Sequence, residues 1–403
     1  KNWSPDKDYV LYGASKDTPH LLKSLDFLVP KNKLKIKYVV DDDENCEKLY
    51  EYPVGSVNDN YDFSKSSYTK KEFVRSNSDE NLKIITFEEF EKNNLIKDHK
   101  IIVTSDINYT NYKKKLIEKN LIEDIDFCNY KKIAAIWPFK IENKVHVWRT
   151  DFLMTEKCSL NCTHCNMWMP YYDKQTHRSY EDLENDLDIY FKKIDYVSVF
   201  HLVGGEPLLS PYVAKVINLI KQKYINKIGY LFLTTNGTIE PKEDVIRAMQ
   251  EVKIDIHISD YTKHIKYLRK LNNVKEKLKN NNINFLIRKY ETWTDFGDPS
   301  VQKFNSNKES IKHFDSCSAP FRGIHNSRYY YCHLNTSAIL AKKFKEDKND
   351  YIALDDNNFD PEDLLKLDLG FPKKGYVTFC NNCNGCNTGL GKKVSPQSQG
   401  IKN

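Results

Sequence analysis

Arginine is scarce in this chain: only 8 of its 62 basic residues are arginine, and the rest are lysine. Forked recognition of phosphates and nucleic acid draws on arginine, whose planar guanidinium binds two oxygens at once. The net charge of +6 therefore predicts no nucleic-acid partner. Apolar runs are also short, a few residues near Ile133 at most, whereas a membrane-spanning helix needs about 20. No secretory signal is evident, so the expectation is a cytoplasmic protein with no membrane partner. Internal repeats and Gly/Ser-rich linkers are lacking too. What is present suffices for sizeable cores: 403 residues, 40% hydrophobic and 29% charged, room for two or three domains.

The ten cysteines are unevenly spread. Cys158, Cys162 and Cys165 stand in Thr-Glu-Lys-Cys-Ser-Leu-Asn-Cys-Thr-His-Cys, a C-x3-C-x2-C spacing. Three thiolates this close can hold three irons of a [4Fe–4S] cube and leave the fourth iron open. Clusters normally take four cysteines, and a structural zinc takes four ligands in two close pairs. No fourth partner stands nearby, and His164 sits too tightly in the loop to turn back on the same metal. Residues 146–155 read as a strand feeding this loop, and Val197–Val203 as the next strand. That strand runs into Gly-Gly-Glu-Pro at 204–207. Gly204 and Gly205, without Cβ atoms, let backbone approach a ligand. Glu206 can accept a hydrogen bond from an ammonium group, and Pro207 suits the first turn of a helix.

The cysteine triplet followed by Gly-Gly-Glu-Pro resembles the opening of the radical S-adenosylmethionine (SAM) enzymes. The resemblance implies a [4Fe–4S] cluster whose open iron binds SAM, and a 5′-deoxyadenosyl radical that takes hydrogen from a substrate. It also implies a reductant such as flavodoxin or ferredoxin. The implied fold is a partial (β/α)6 barrel over residues 145–310. The residues suit repeating strand–helix units: helix Tyr180–Ile194 puts Leu183, Leu187, Phe191 and Ile194 on one face. Further strands are read at Tyr230–Thr235, Asp255–Ser259 and Asn284–Arg288. Barrels of this kind put their chemistry at strand C-terminal ends, where Asn236, Ser259, Asp260 and Arg288 lie. By resemblance Asn236 and Ser259 sit at ribose and methionine contacts, and Arg288 suits the SAM carboxylate. They join Gly204, Gly205 and Glu206 as cofactor-binding candidates. His164 stands where the family has an aromatic residue; Trp168 is a candidate for packing the adenine edge, or a core residue.

Residues 1–130 alternate strands (Asp8–Gly13, Leu34–Val40, Ile101–Ser105) with helices (Thr18–Leu28, Tyr112–Lys119), which predicts a parallel α/β sheet. The pattern is Rossmann-like, but only Gly13 remains of G-x-G-x-x-G, so a tight pyrophosphate approach is not expected. Residues 131–144 are read as a linker. Cys46 and Cys128 are expected to be buried bystanders.

A second cysteine group, Cys317, Cys332, Cys380, Cys383 and Cys386, falls within 311–403. Its C-x2-C-x2-C segment is too tight for ordinary disulfides, which are rare in the cytosol anyway. The arrangement resembles the twitch or SPASM extensions of radical SAM enzymes, which carry auxiliary [4Fe–4S] clusters. The expected ligands are Cys317, Cys332, Cys380 and Cys383; exchange of Cys386 for Cys380, and zinc on four thiolates, stay open. A spare Cys386 would be the catalytic hydrogen donor of an epimerase, whereas a cluster alone would favour an oxidised product. The cysteine tail and Glu291–Gly297 resemble a branch associated with surface-polysaccharide or modified-sugar pathways. The implied activity is epimerisation or dehydrogenation of a sugar, sugar-nucleotide or similar polar small molecule. Two alternatives are a SPASM-type peptide maturase, which the α/β N-terminus disfavours, and a non-catalytic iron–sulfur or zinc scaffold. Trp293, Asp295 and tyrosines 329–331 either stack on a carbohydrate or fill the core.

Overall fold

A computed structural model describes residues 7–13, 17–30, 35–42, 83–105, 109–319 and 321–401. Leu34, Asp43 and Cys46 lie outside this set. The chain falls into two compact units, one mainly of residues up to Trp148 and one mainly of residues from Arg149 onward.

The first unit is a five-stranded sheet in the order β3-β2-β1-β4-β5. The strands are β1 (Asp8–Tyr12), β2 (Lys35–Asp41), β3 (Lys83–Thr86), β4 (Lys100–Val103) and β5 (Phe127–Asn129). Every pairing is parallel. Parallel sheets are covered on both faces, and here alternate residues of β1 feed different cores. Tyr9 and Leu11 pack with Leu21, Leu25 and Trp137, while Val10 and Tyr12 pack with Phe87, Phe90 and Leu116. Residues 131–144 do not form a linker: helix Tyr130–Glu142 occupies all but the last two, capped by the Asn129 side chain on Lys131 N–H. Its buried Ile133, Ala134 and Trp137 belong to the first core. Pro138 inside the helix interrupts the sequence pattern that would have announced it. Gly13 serves packing, since a Cβ there would lie 2.9 Å from the Tyr112 ring.

The second unit is organised by an eight-stranded sheet in the order β11-β10-β9-β8-β6-β13-β14-β15. Its strands are β6 (His146–Leu153), β8 (Tyr196–Val203), β9 (Ile228–Thr235), β10 (Asp255–Asp260), β11 (Phe285–Lys289), β13 (Gly323–His325), β14 (Arg328–Tyr330) and β15 (Tyr351–Ala353). Two short pairs flank it: β7 (Leu160–Cys162) with β17 (Ser398–Ile401), and β12 (Trp293–Thr294) with β16 (Lys393–Val394). Helices Tyr180–Lys193, Val213–Leu219, Glu243–Val252, Leu268–Asn280 and Asn307–Ser316 follow β6, β8, β9, β10 and β11 in the chain. This is a partial barrel, with the β13–β14–β15 meander continuing the sheet beyond β6. On one face of β6 and β8, Phe152 and Phe200 stack and meet helix Tyr180–Lys193 through Tyr190 and Phe191. The β13–β14 turn passes through Asn326 and Ser327, both left-handed, as the tightest hairpins require. Among the described residues no helix is long and apolar enough to cross a membrane.

Candidate active site

The cysteine loop leaves the end of β6 and is bound to the end of β8 by backbone. Met154 N–H donates to Val203 O at 2.7 Å, Gly205 N–H to Thr155 O at 2.9 Å and Glu206 N–H to Lys157 O at 2.8 Å. A Cβ on Gly204 would stand 2.7 Å from Thr155 O, and one on Gly205 only 2.2 Å from Lys157 O. The close neighbour these glycines admit is thus the cysteine loop itself. Glu206 is fully buried. Its carboxylate accepts Leu208 N–H at 3.1 Å, the Thr235 hydroxyl at 2.9 Å and Asn236 N–H at 2.8 Å. Burial pushes its pKa up to about 7, against those three hydrogen bonds. Asn236 in turn directs its amide toward Ser159 Oγ at 3.0 Å and Cys158 Sγ at 3.8 Å. The end of β9 is therefore linked through Glu206 and Asn236 to the first cysteine.

Burial raises all three thiols of the loop, Cys158 to about 12 with further contributions from Cys165 and Glu206. Buried thiols that raise one another are the environment a cationic centre relieves, because a metal binds thiolates and displaces their protons. His164 lies outside this group, with its ring 3.7 Å from the Asp295 carboxylate.

Further along the chain, Cys317, Cys332, Cys380 and Cys383 line one cavity, otherwise walled largely by Phe296, Phe314, Tyr331 and Phe379. Cys386 does not line it; its backbone N–H donates to Cys317 Sγ at 3.3 Å, as Gly385 N–H does to Cys383 Sγ at 3.3 Å. Burial raises Cys332 and Cys380 well above an ordinary thiol and Cys383 to about 12. Among the described residues no three His, Cys, Asp or Glu side chains are arranged to hold a metal ion as they stand. The fit to iron–sulfur groups rests on donor type and setting: three thiols on one loop, four around one apolar cavity.

A second, smaller cavity is lined by Asp151, Leu153, Met167, Val203, Ile324, His333, Thr336 and Ser337. Asp151 is the centre of a buried network. It accepts Arg149 Nε at 2.9 Å, pairs with His201 Nδ1 at 2.9 Å and with His333 Nδ1 at 2.7 Å. Burial would raise this carboxyl, but Arg149, His201 and His333 hold it well below the usual carboxylate range. His201 stacks on Phe232 at 4.1 Å, and burial lowers its pKa to about 4.

Residues 152–298 match the profile of the Radical SAM superfamily. The chain carries a radical SAM domain. No curated protein matches the sequence. Among solved structures, the chain is similar to anSMEcpe with bound AdoMet and a Kp18Cys peptide, at 15% identity and TM-score 0.40, covering 60% of this chain and 89% of that one. It is also similar to BtrN in complex with AdoMet and 2-DOIA (12%, TM-score 0.40, covering 59% and 93%). A third is SuiB from Streptococcus suis (15%, TM-score 0.24, covering 46% and 51%). Radical SAM enzymes use SAM and a [4Fe–4S] cluster.

The other candidates find varied places in the second unit. Ser259 and Arg288 are register partners at the ends of β10 and β11, and the Arg288 guanidinium lies 4.8 Å from the Tyr290 ring centroid. Trp168 is buried, donates from its indole to Gly297 O at 3.1 Å, and meets Phe379 edge-on at 6.0 Å. Trp293 packs edge-on against Tyr261. Tyr329 and Tyr330 are core: both are buried, with hydroxyls on Asp368 at 2.7 Å and Glu346 at 2.5 Å. The Asp151 network escaped the sequence reading, although charged Arg149 and Asp151 inside an apolar strand were its available signal.

Proposed function

We propose that this radical SAM enzyme abstracts hydrogen from a sugar, sugar-nucleotide or similar polar small molecule, ending in epimerisation or dehydrogenation. The observation that carries the reading is the joining of the three-cysteine loop to the Gly204–Glu206 turn and, through Asn236, to the end of β9. When bound, the cluster and SAM supply the 5′-deoxyadenosyl radical.

The chain's own residues have assigned tasks in this reading. Cys158, Cys162 and Cys165 hold the cluster; Asn236 donates toward Cys158, and Glu206 keeps Asn236 in place. Gly204, Gly205, Glu206, Asn236, Ser259 and Arg288 form the SAM side of the barrel mouth. Cys317, Cys332, Cys380 and Cys383 hold an auxiliary [4Fe–4S] cluster in a pocket walled largely by aromatic rings. Cys386, outside that set, is the candidate hydrogen donor of an epimerising outcome. A flavodoxin- or ferredoxin-type protein delivers the electron. The sugar class is supported by the likeness of the cysteine tail and of Glu291–Gly297 to polysaccharide-associated relatives.

The test is anaerobic reconstitution with iron and sulfide, followed by iron quantification and reductive SAM cleavage. About eight irons are expected, two clusters of four, with 5′-deoxyadenosine formation lost in Cys158→Ala. About four irons with intact cleavage would remove the auxiliary cluster. Absence of cleavage would overturn the enzymatic reading.

A further inference from the structure

We infer that Trp168 is a positioning residue for the three-cysteine loop. Through its indole, the four-cysteine region sets the backbone turn that donates to the Cys165 sulfur, and with it the reduction potential of the cluster held there. The inference rests on the radical SAM reading above and adds to it a residue and its task.

The backbone of Trp168 is the first sign. Its φ of 50° and ψ of 28° lie in the left-handed region, which a bulky side chain rarely occupies. Such a conformation persists where the surroundings impose it. The turn belongs to the loop: Trp168 N–H donates to Cys165 O at 2.9 Å, and Tyr171 N–H donates to Trp168 O at 2.9 Å. Burial raises the Cys165 thiol, and the N–H groups of Met169, Met167 and Trp168 oppose it with hydrogen bonds to the sulfur. Successive N–H groups aimed at one atom form the kind of concavity that holds anions, iron–sulfur sites included.

What imposes the turn lies far along the chain. The buried indole donates to Gly297 O at 3.1 Å, and its ring meets Phe379, the residue before Cys380, edge-on. Gly297 is itself left-handed, with φ 79°, and a Cβ there would stand 2.9 Å from the Asn384 side chain. Residues 295–303 are bound to the cysteine tail on both sides of Cys383. Asn384 N–H donates to Phe296 O and its side-chain amide to Asp295 O, each at 2.9 Å. Lys303 N–H donates to Asn381 O at 2.8 Å and Lys303 Nζ to Asn382 O at 2.9 Å. The Asn382 amide returns a bond to Pro299 O at 2.9 Å. Five hydrogen bonds thus fix the segment to the C-x2-C-x2-C stretch, and one indole carries that position to the loop.

Hydrogen bonds to the sulfurs of a cluster help set its potential. Donors favour the more negative, reduced state, so a turn that slackens should lower the potential.

The experiment uses the full chain reconstituted with iron and sulfide. Redox titration followed by electron paramagnetic resonance gives the potential of each cluster, and the one at the three-cysteine loop is recognised by the change in its signal when SAM is added. Trp168→Phe keeps a ring and loses the indole donor. At unchanged iron content its SAM-responsive cluster should be harder to reduce, the equilibrium shifting about tenfold, which is about 59 mV for one electron. Asn384→Ala, on the far side of the segment, should shift the same potential in the same direction. Trp168→Gly accepts the left-handed turn without strain but has neither anchor, so it should behave as Trp168→Phe does. A purely structural role would cost iron or stability and leave the potential of a loaded cluster alone. The inference is overturned by a wild-type potential in Trp168→Phe, or in Trp168→Gly, where the turn would then need no tie. If a variant loads no iron, hydrogen exchange on the metal-free chain decides. Faster exchange of the Met167 and Met169 amides in Asn384→Ala supports the tie, and unchanged exchange overturns it. SAM cleavage is assayed on the wild-type preparation. Cleavage with unshifted potentials in the variants removes this inference alone; shifted potentials without cleavage remove the radical reading alone.

Discussion

Asp350 and Phe379 are joined by a short hydrogen bond, Phe379 N–H to Asp350 Oδ2 at 2.8 Å, immediately before Cys380. Thr378 N–H reaches the other carboxylate oxygen at 2.5 Å, and Asn335 Nδ2 shares the first at 3.0 Å. One fully buried side chain thus ties the segment carrying Cys380 to the helix that follows Cys332. Asp350→Asn would set an amide N–H₂ against a backbone donor. A destabilisation of about 1–3 kcal/mol is expected, read by urea denaturation at pH 7, together with weaker iron retention.

The same carboxyl makes a pH prediction. Burial raises its pKa to about 6 in the folded protein, against an ordinary value of 3.8. Between those values the folded state keeps a proton that the unfolded state has shed. Its contribution to stability therefore falls as pH rises from about 4 to 6 and is constant above. Asp350→Asn should remove this component from the stability–pH profile.

Two histidines work in the opposite sense. His146, with ring nitrogens on Ala134 O at 2.7 Å and Ser198 Oγ at 2.8 Å, is lowered to about 4 by burial. His325 is lowered to about 3 by burial, with Arg178 and Arg328 adding to it. Below an ordinary pKa of 6.5 the unfolded chain protonates these rings and the folded protein does not, so stability is lost as pH falls. Each ring contributes a slope of about 1.4 kcal/mol per pH unit in this window. Replacing His146 with Gln should reduce the acid sensitivity of the denaturation midpoint between pH 6 and 4; an unchanged slope would refute the assignment.

Gly205→Ala is expected to abolish iron binding at the three-cysteine loop while leaving most secondary structure. Its methyl group would sit 2.2 Å from Lys157 O and 3.0 Å from Cys158 Cβ, so the loop must leave the end of β8. Iron content and circular dichroism on one preparation decide the matter: full iron loading in the variant would contradict the packing described.

Asp186 should be among the most sensitive positions in the second unit. It pairs with Arg178 at 2.6 Å, and it accepts Asn326 N–H at 3.0 Å and Ser327 N–H at 2.6 Å, holding the β13–β14 turn. Removing one partner of a buried ion pair typically costs about 3–5 kcal/mol. Asp186→Ala is expected in that range by chemical denaturation, whereas Lys342→Ala, at an exposed pair with Asp173, should change stability by less than about 1 kcal/mol.

Much of this was legible because the signals are local. The burial of Leu183, Leu187, Phe191 and Ile194 follows from apolar spacing on one helix face. Cysteine spacing and a Gly-Gly-Glu-Pro turn after an apolar strand are also short-range patterns. What stayed hidden depends on distant partners: His201 and His333 meet Asp151 from 50 and 182 positions away. Nothing near Asp151 in the sequence announces either contact. The tyrosines at 329 and 330 were ambiguous for the same reason, since Asp368 and Glu346, which bury their hydroxyls, lie beyond any local window. The helix Tyr130–Glu142 was obscured by its own proline.

Helix His333–Leu340 is a party wall between two chambers. Cys332, His333 and Leu334 are consecutive, and they line the thiol chamber, the smaller chamber and the thiol chamber again. A close-packed interior transmits displacement rather than absorbing it, so neither chamber can change shape without the other registering the change.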